Sequence, residues 1–339
     1  MDFETLKVST RIKSVLVAGG AGFIGSHLVE HLLRQKSIQR VLVVDNFISG
    51  TIENLEGSRG DGKLEILEMD ITDPGVIDGC EGGFDLVLHL AAIANPKDYE
   101  RKPVETLRVN SQGSENLVTI AERNMAKFIF FSSSEVYGDQ EPALTGSLEE
   151  ASWSRIILNQ KRSPYVVGKC FGEEITKNLC LDKGMDHLII RPFNIYGPKM
   201  DMMTNYGRVI PNFCIWGLNG DPMRIHGDGE QIRSFCYVDD FINALISLLN
   251  SGVVGKSINI GNPDPISIIE LAGLISDILG VEENFGFVER YPYEPFCRVP
   301  DISLIKKLTG WEPEMDLRSG LESTVKWFRE TGLERYDRK

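Results

Sequence analysis

Val15-Leu16-Val17-Ala18 is a short apolar run that leads without a break into Gly19-Gly20-Ala21-Gly22-Phe23-Ile24-Gly25. Ser26 to Arg34 follows, with Leu28, Val29, Leu32 and Leu33 at helical spacing. Val41 to Val44 is a second apolar run, closed by Asp45 twenty residues after Gly25. Strand, glycine turn, helix, strand and acid in this order leave a chain few folds to adopt. The glycines let backbone N–H groups come close to a ligand, and the helix N-terminus behind them favours an anion, so the segment suits a dinucleotide pyrophosphate. Gly19, Gly22, Phe23, Ile24 and Gly25 are the expected cradle. Asp45, with Asn46 beside it, would accept hydrogen bonds from an adenosine ribose. Its charge would repel a 2′-phosphate, so NAD is expected over NADP.

Alternation of strand and helix continues to about residue 190. Leu64–Glu68, Phe128–Ser132 and His187–Arg191 read as strands, and Asn110–Arg123 and the stretch after Tyr165 as helices. The pattern predicts an α/β fold with a doubly wound parallel (Rossmann) sheet covered on both faces. Beyond 192 the signals turn irregular, as expected of a smaller, discontinuous C-terminal substrate-binding lobe. Phe235–Asp240 and Ser257–Ile260 are expected to return to the sheet. The division is therefore 1–191 plus about 234–261 for the dinucleotide domain, and about 192–233 plus 262–339 for the lobe. Ile266–Leu279 and Leu317–Arg329 are amphipathic helices with core-facing apolar residues. The polar loops 50–62 and 138–163 are expected at the mouth of the site.

Ser133, Tyr165 and Lys169 add chemistry to this frame. Tyrosine and lysine at i and i+4 share a helix face, so an ammonium could sit beside the phenol and lower its pKa toward neutrality. A nearby hydroxyl would orient the same proton. Such a spacing arises by chance in many chains, and the dinucleotide signature is what gives it weight here.

The spacing Gly19-x-x-Gly22-x-x-Gly25 with the Ser133, Tyr165, Lys169 set resembles the extended short-chain dehydrogenase/reductase family, whose members modify nucleotide sugars. Nearly the whole chain takes part in the likeness. Met69-Asp70-Ile71 is similar to the family's adenine contact, which implies Asp70 and Ile71 as cofactor residues. Asp85 to Ala92 resembles its fourth strand, with Leu90, Ala91 and Ala92 lying under the cofactor. Asn110 matches the helix asparagine that supports the site. Arg191-Pro192-Phe193-Asn194-Ile195-Tyr196-Gly197-Pro198 resembles the segment where the proline meets the nicotinamide and the asparagine meets the sugar diphosphate.

Within that family, four segments look like those of UDP-glucuronate decarboxylases. They are Asn95 to Pro103 with Tyr99, Ser133-Ser134-Glu135-Val136-Tyr137-Gly138, Gly207-Arg208-Val209-Ile210-Pro211-Asn212-Phe213, and Arg298-Val299-Pro300-Asp301-Ile302. His226-Gly227-Asp228-Gly229 and the segment from Arg233 to Asp240 fit as nucleotide and phosphate contacts. The resemblance implies Ser133, Glu135, Tyr165, Lys169 and Arg298 as catalytic residues. Tyr99, Ser134, Asn194, Arg208, Val209, His226, Arg233 and Arg298 are implied at the substrate. Oxidation at C4 of the sugar would make the C5 carboxylate a β-keto acid, which loses CO2; the retained reduced cofactor then restores C4. Departures from the pattern lie near the sugar. Ser133 replaces a threonine, Leu144–Arg162 has no counterpart, and Tyr291–Cys297 replaces a more polar approach to Arg298. A 4-epimerase, a 4,6-dehydratase and a non-catalytic sugar-nucleotide sensor therefore remain as alternatives. Ser134 in place of the aspartate of many dehydratases counts against the dehydratase.

The net charge of −13 argues against a general nucleic-acid binder but leaves room for an anionic sugar nucleotide met by local arginines. The six cysteines form no CxxC pair and the five histidines no ligand spacing, so reduced thiols and no metal are expected. No leader-like or membrane-spanning apolar stretch is apparent, which favours a cytoplasmic protein without a membrane partner. The family resemblance implies a homodimer built on helices beginning near Glu100 and Ser163.

Overall fold

The computed structural model describes residues 7–138, 147–158, 160–200, 208–290 and 295–332. Gly207 and residues 291–294 of the likeness above lie outside them, as does 139–146 of the polar loop.

Six parallel strands, β1 (Ser14–Ala18), β2 (Arg40–Asp45), β3 (Leu64–Glu68), β4 (Leu86–His89), β5 (Lys127–Phe131) and β6 (His187–Pro192), are joined by a seventh, Lys256–Ile260. Their spatial order is β3-β2-β1-β4-β5-β6 and then the seventh. Val, Leu, Ile and Phe fill both faces of the central strands because helices cover both sides. Six helices precede or flank the site: α1 (Phe23–Arg34), the short α2 (Val76–Gly79) and α3 (Pro96–Arg101), α4 (Pro103–Asn110), α5 (Gln112–Asn124) and α6 (Ser163–Asp182). The helix expected over Asn110–Arg123 is α5, except that Asn110 closes α4 and Ser111 between the two leaves helical geometry.

Strand order reverses direction between β1 and β4, which opens a crevice at the carboxyl ends of these strands, where an open α/β sheet binds ligands. Gly19, Leu90, Ser132 and Pro192 stand at the carboxyl ends of β1, β4, β5 and β6 around it.

Phe235–Asp240 does not return to the main sheet. Cys236-Tyr237 instead pairs in parallel with β7 (Ile195–Tyr196), and Val238 starts the helix Val238–Ser251. Alternation was a poor guide there because two residues suffice for the pairing and the buried side chains that follow belong to a helix. The last helix ends earlier than expected, at Trp327, and a single π-turn, Phe328–Gly332, follows it.

Beyond β7, α7 (Val209–Asn219) and two short sheets form the other wall of the crevice. Ile232–Ser234 runs between Pro265–Ser267 and Cys297–Arg298. The parallel register sets Arg298 opposite Arg233. Side chains paired across strands share a face, so both guanidinium groups are delivered to the same side.

Candidate active site

A single cleft of about 900 Å³ runs along the carboxyl ends of the strands. Its first wall is the glycine turn. Gly19 adopts φ +81°, and a Cβ there would stand 2.5 Å from the Ala91 nitrogen, so only glycine lets the β1 and β4 loops meet. A Cβ on Gly25 would stand 2.2 Å from the Gly19 carbonyl, so α1 closes on the turn only without one. Gly22 is different. It lines the cleft, and a Cβ there would meet only the Gly19 carbonyl, at 3.3 Å. The first turn of α1 carries no acidic side chain and no side-chain cap, so its N–H groups are left for an anion. Asp45 is buried at the end of β2, accepting from the Ala21 and Phe47 N–H groups at 2.9 Å each. Burial raises its pKa, opposed by those two bonds. This shape and donor set fit a dinucleotide.

Gly19, Gly22, Phe23, Ile24, Gly25, Leu90, Ala92, Lys169 and Pro192 all line the cleft, as expected of cofactor residues. Asp45, Asn46, Asp70, Ile71, Ala91 and Asn110 stand behind that lining. Asn46 donates to Asp70 (2.9 Å), whose other oxygen takes the Thr72 N–H and hydroxyl. Ile71 packs in the core and its carbonyl accepts from Asn116. Asn110 donates to the Thr106 carbonyl and its buried Oδ1 has no protein partner.

The second wall carries the reactive groups. Ser133 caps the turn Ser134–Tyr137, accepting from the Glu135 N–H, and it is hydrogen-bonded to Tyr165. The Tyr165 ring stacks on Tyr99, with centroids 5.5 Å apart and planes at 19°. One turn along α6, Lys169 is buried. Its Nζ donates to the Phe131 carbonyl (2.7 Å) and lies over the Phe130 ring. The ammonium nitrogen is thus directed at a carbonyl and stands 6.0 Å from the centre of the Tyr165 ring. Burial pushes Tyr165 up to about 12, relieved by the Ser133 hydrogen bond. Burial likewise pushes Lys169 down to about 7, opposed by Glu173. Both shifts have the same leading cause, the low-dielectric surroundings that disfavour the charged form of each group.

That shift makes a prediction for the cofactor-free protein. From about pH 7 up to the ordinary lysine range the folded state holds a neutral amine while the unfolded chain keeps its proton. The unfolded state then binds more protons, so stability rises with pH across this window, by up to about 1.4 kcal/mol per pH unit. Lys169→Met should remove that rise. Urea unfolding at pH 6 and pH 9 should show the variant gaining more on wild type at pH 6; an equal difference at both would contradict it.

Below the reactive groups a polar network fixes their backbone. Arg191 on β6 holds Glu173 with two nitrogens (2.9 and 2.6 Å) and donates to the Tyr137 hydroxyl (2.9 Å). Glu173 also accepts from Ser132 (2.5 Å), and Tyr137 donates to Asn259 (2.7 Å). The end of β5, α6 and the seventh strand are thereby held in one arrangement.

Glu135 is the electrostatic centre. It pairs with Arg298, and its Oε2 lies 3.6 Å from Arg162. Burial alone would raise its pKa, but Arg298, Arg162 and Arg233 outweigh that and hold it below the usual carboxylate range. Glu135 is therefore an anion held by cations. Arg298, only 5% exposed, also donates to the Gly138 carbonyl (3.1 Å). Arg233 donates to the Ile232 and Phe296 carbonyls. Asn194, in the left-handed region at φ +41°, donates to Ser234. Ser134, Arg208, Val209 and His226 line the cleft as well, His226 with its Nδ1 3.0 Å from the Glu289 carbonyl. Every substrate residue expected from the sequence thus faces this one space. Arg162 was missed because it lies in the stretch without a counterpart. Its place three residues before Tyr165, on the same helix face, was the available signal.

Comparison with known proteins gives a consistent result. The family model described as NAD dependent epimerase/dehydratase family matches residues 15–261. UDP-glucuronic acid decarboxylase 1 of Xenopus tropicalis is 37% identical over 317 residues, spanning 94% of this chain and 72% of the relative. UDP-glucuronic acid decarboxylase 3 of Arabidopsis thaliana is 37% identical, spanning 93% and 89%. Among solved structures, UDP-N-acetylglucosamine 4-epimerase from Methanobrevibacter ruminantium M1 superposes with a TM-score of 0.85 at 32% identity, over 96% of this chain and 99% of that one. UDP-glucuronic acid 4-epimerase from Bacillus cereus gives 0.82 at 28%, over 94% and 99%.

Proposed function

The chain belongs to the NAD dependent epimerase/dehydratase family, and within it we propose that the protein converts UDP-glucuronate to UDP-xylose and CO2. The observation that carries this is the Glu135–Arg298 pair in the same cleft as Ser133 and Tyr165. A hydroxyl, a phenol and a buried guanidinium facing one space suit a sugar that must lose a proton at O4 and a carboxylate at C5.

Gly19, Gly22, Phe23, Ile24, Gly25 and Asp45 would hold the NAD, with Leu90, Ala92 and Pro192 against it. When bound, NAD supplies the oxidant for C4 and returns the hydrogen to that carbon at the end of the cycle. The protein's part is proton and charge handling. Tyr165 takes the O4 proton while Ser133 orients the hydroxyl, and the buried Lys169 is one turn away. With a ketone at C4, the bond from C5 to the carboxylate breaks, CO2 leaves, and the electron pair spreads onto O4. Arg298 opposes the negative charge through this step, in a site dry enough to strengthen it. Glu135 keeps Arg298 in position, and a proton then enters at C5. Arg208, Arg233 and Asn194 are placed for the diphosphate, where guanidinium forks are well suited.

A second reading, 4-epimerisation of UDP-glucuronate, draws on the Bacillus cereus likeness and uses the same proton set without carbon loss. Incubation of the purified protein with UDP-glucuronate and NAD separates the two. CO2 with UDP-xylose is expected; UDP-galacturonate without CO2 would transfer the assignment to the epimerase.

The residue division stated from the sequence, with the second lobe at about 192–233 plus 262–339, serves this reading, since the substrate arginines come from the lobe and the proton set from the sheet. A homodimer is also proposed. Val104 and Leu107 on α4 and Phe171 on α6 are exposed on two adjoining helices, 53%, 37% and 51%, which suits a four-helix contact with a second copy. Light scattering should give twice the chain mass, and a monomer would contradict it. All six cysteines are free thiols, and no helix among the described residues is long and apolar enough to cross a membrane. The free thiols support a reducing, cytoplasmic setting.

A further inference from the structure

We propose that Arg162 is a specificity-determining residue that binds the carboxylate of the sugar, and so distinguishes a uronate from a neutral sugar. This rests on the reading of the substrate as a nucleotide-linked uronate and adds the residue that selects it.

Three observations converge on Arg162. It lines the cleft and stands immediately before α6, three residues ahead of Tyr165. Side chains at this spacing lie one turn apart on the same face. In a uronate the carboxyl carbon is two bonds from C4, so a sugar whose O4 faces the phenol brings its carboxylate into the reach of the next side chain along the helix.

Next, the arginines around Glu135 are not equivalent. Arg298 is paired closely with Glu135, donates its other nitrogen to the Gly138 carbonyl, and is 5% exposed. Arg162 meets the opposite oxygen of Glu135 at 3.6 Å, beyond hydrogen-bond length, and is 18% exposed. A substrate carboxylate can therefore reach Arg162 without breaking the close Arg298–Glu135 pair. Arg298 remains in place to oppose charge during reaction.

Finally, the surroundings favour an additional anion. Arg298, Arg162 and Arg233 all act on the single carboxylate of Glu135, leaving an excess of positive charge. The first turn of the twenty-residue α6 contains no acidic residue and no side-chain cap, so its dipole adds to that field. With diphosphate on Arg233 and Arg208, Glu135 alone is left to balance both Arg298 and Arg162 beside the phenol.

The test uses full-length protein with NAD in the Tyr165→Phe background, where turnover does not obscure binding. Calorimetry should compare UDP-glucuronate with UDP-xylose, which differ only in the carboxylate. Arg162→Gln should weaken UDP-glucuronate by about 30-fold, the scale of a hydrogen bond to a charged group, and UDP-xylose by less than about 3-fold. Arg162→Lys, which keeps the charge but loses the fork, should recover part of the loss. Equal weakening of both ligands, or no weakening of UDP-glucuronate, would overturn the assignment, and unchanged melting temperatures exclude misfolding as the cause. CO2 release by the wild-type protein is scored separately. Selective weakening without CO2 release leaves the carboxylate role intact and refutes the decarboxylase reading; CO2 release without selectivity does the reverse.

Discussion

Tyr165→Phe is expected to lower turnover of UDP-glucuronate by about 10³-fold or more, the scale of a lost general base. Only the phenolic oxygen is removed. The ring that stacks on Tyr99 remains, so packing and NAD affinity should stay close to wild type. Fluorescence titration with NAD and a melting curve check the second half. Loss of NAD binding together with the fold would mean that Tyr165 is structural, and turnover within tenfold of wild type would mean that another group handles the proton.

Arg298→Ala should be nearly as damaging, for two separable reasons. The carboxylate chemistry loses the cation that opposes the developing charge, worth about 10²–10³-fold in turnover. Glu135, 25% exposed, also loses its closest counter-ion but keeps Arg162 and Arg233, so the cost in stability should be about 1–2 kcal/mol, less than for a fully buried pair. The double variant Glu135→Gln with Arg298→Met should regain most of that stability while remaining inactive. If stability is not regained, the pair is not what couples the two strands to the loop after β5. If activity survives in Arg298→Ala, the charge role is wrong.

The glycine turn, Asp45, Ser133, Tyr165 and Lys169 were legible in the sequence because each depends on local spacing. A turn that must admit backbone contacts requires glycine at Gly19 and Gly25, and helical phase alone sets Tyr165 beside Lys169. What local spacing does not carry is dielectric. The i, i+4 rule foresaw the neighbours but not a pocket so dry that the phenol is pushed up to about 12 and Lys169 turns to the Phe131 carbonyl. Pairings that join distant segments were hidden as well. Glu135 with Arg298 spans 163 residues, and Arg233 meets Arg298 only because Ile232–Ser234 and Cys297–Arg298 adopt one parallel register. Family likeness pointed to these residues individually, whereas their mutual charge balance needed the fold. The error at Phe235–Asp240 has a similar origin: the apolar run Phe235 to Val238 fits a strand, but a two-residue bridge and a helix start bury it equally well.

The most direct measurement follows deuterium placed at C4 of UDP-glucuronate. If the sugar is oxidised at C4, loses its carboxylate and is restored within one binding event, CO2 and UDP-xylose should form in equal amounts, with the deuterium still on C4 and a single solvent hydrogen at C5. Deuterium appearing in water, or CO2 released with no label passing back to C4, would contradict the closed cycle on which the proposed function depends.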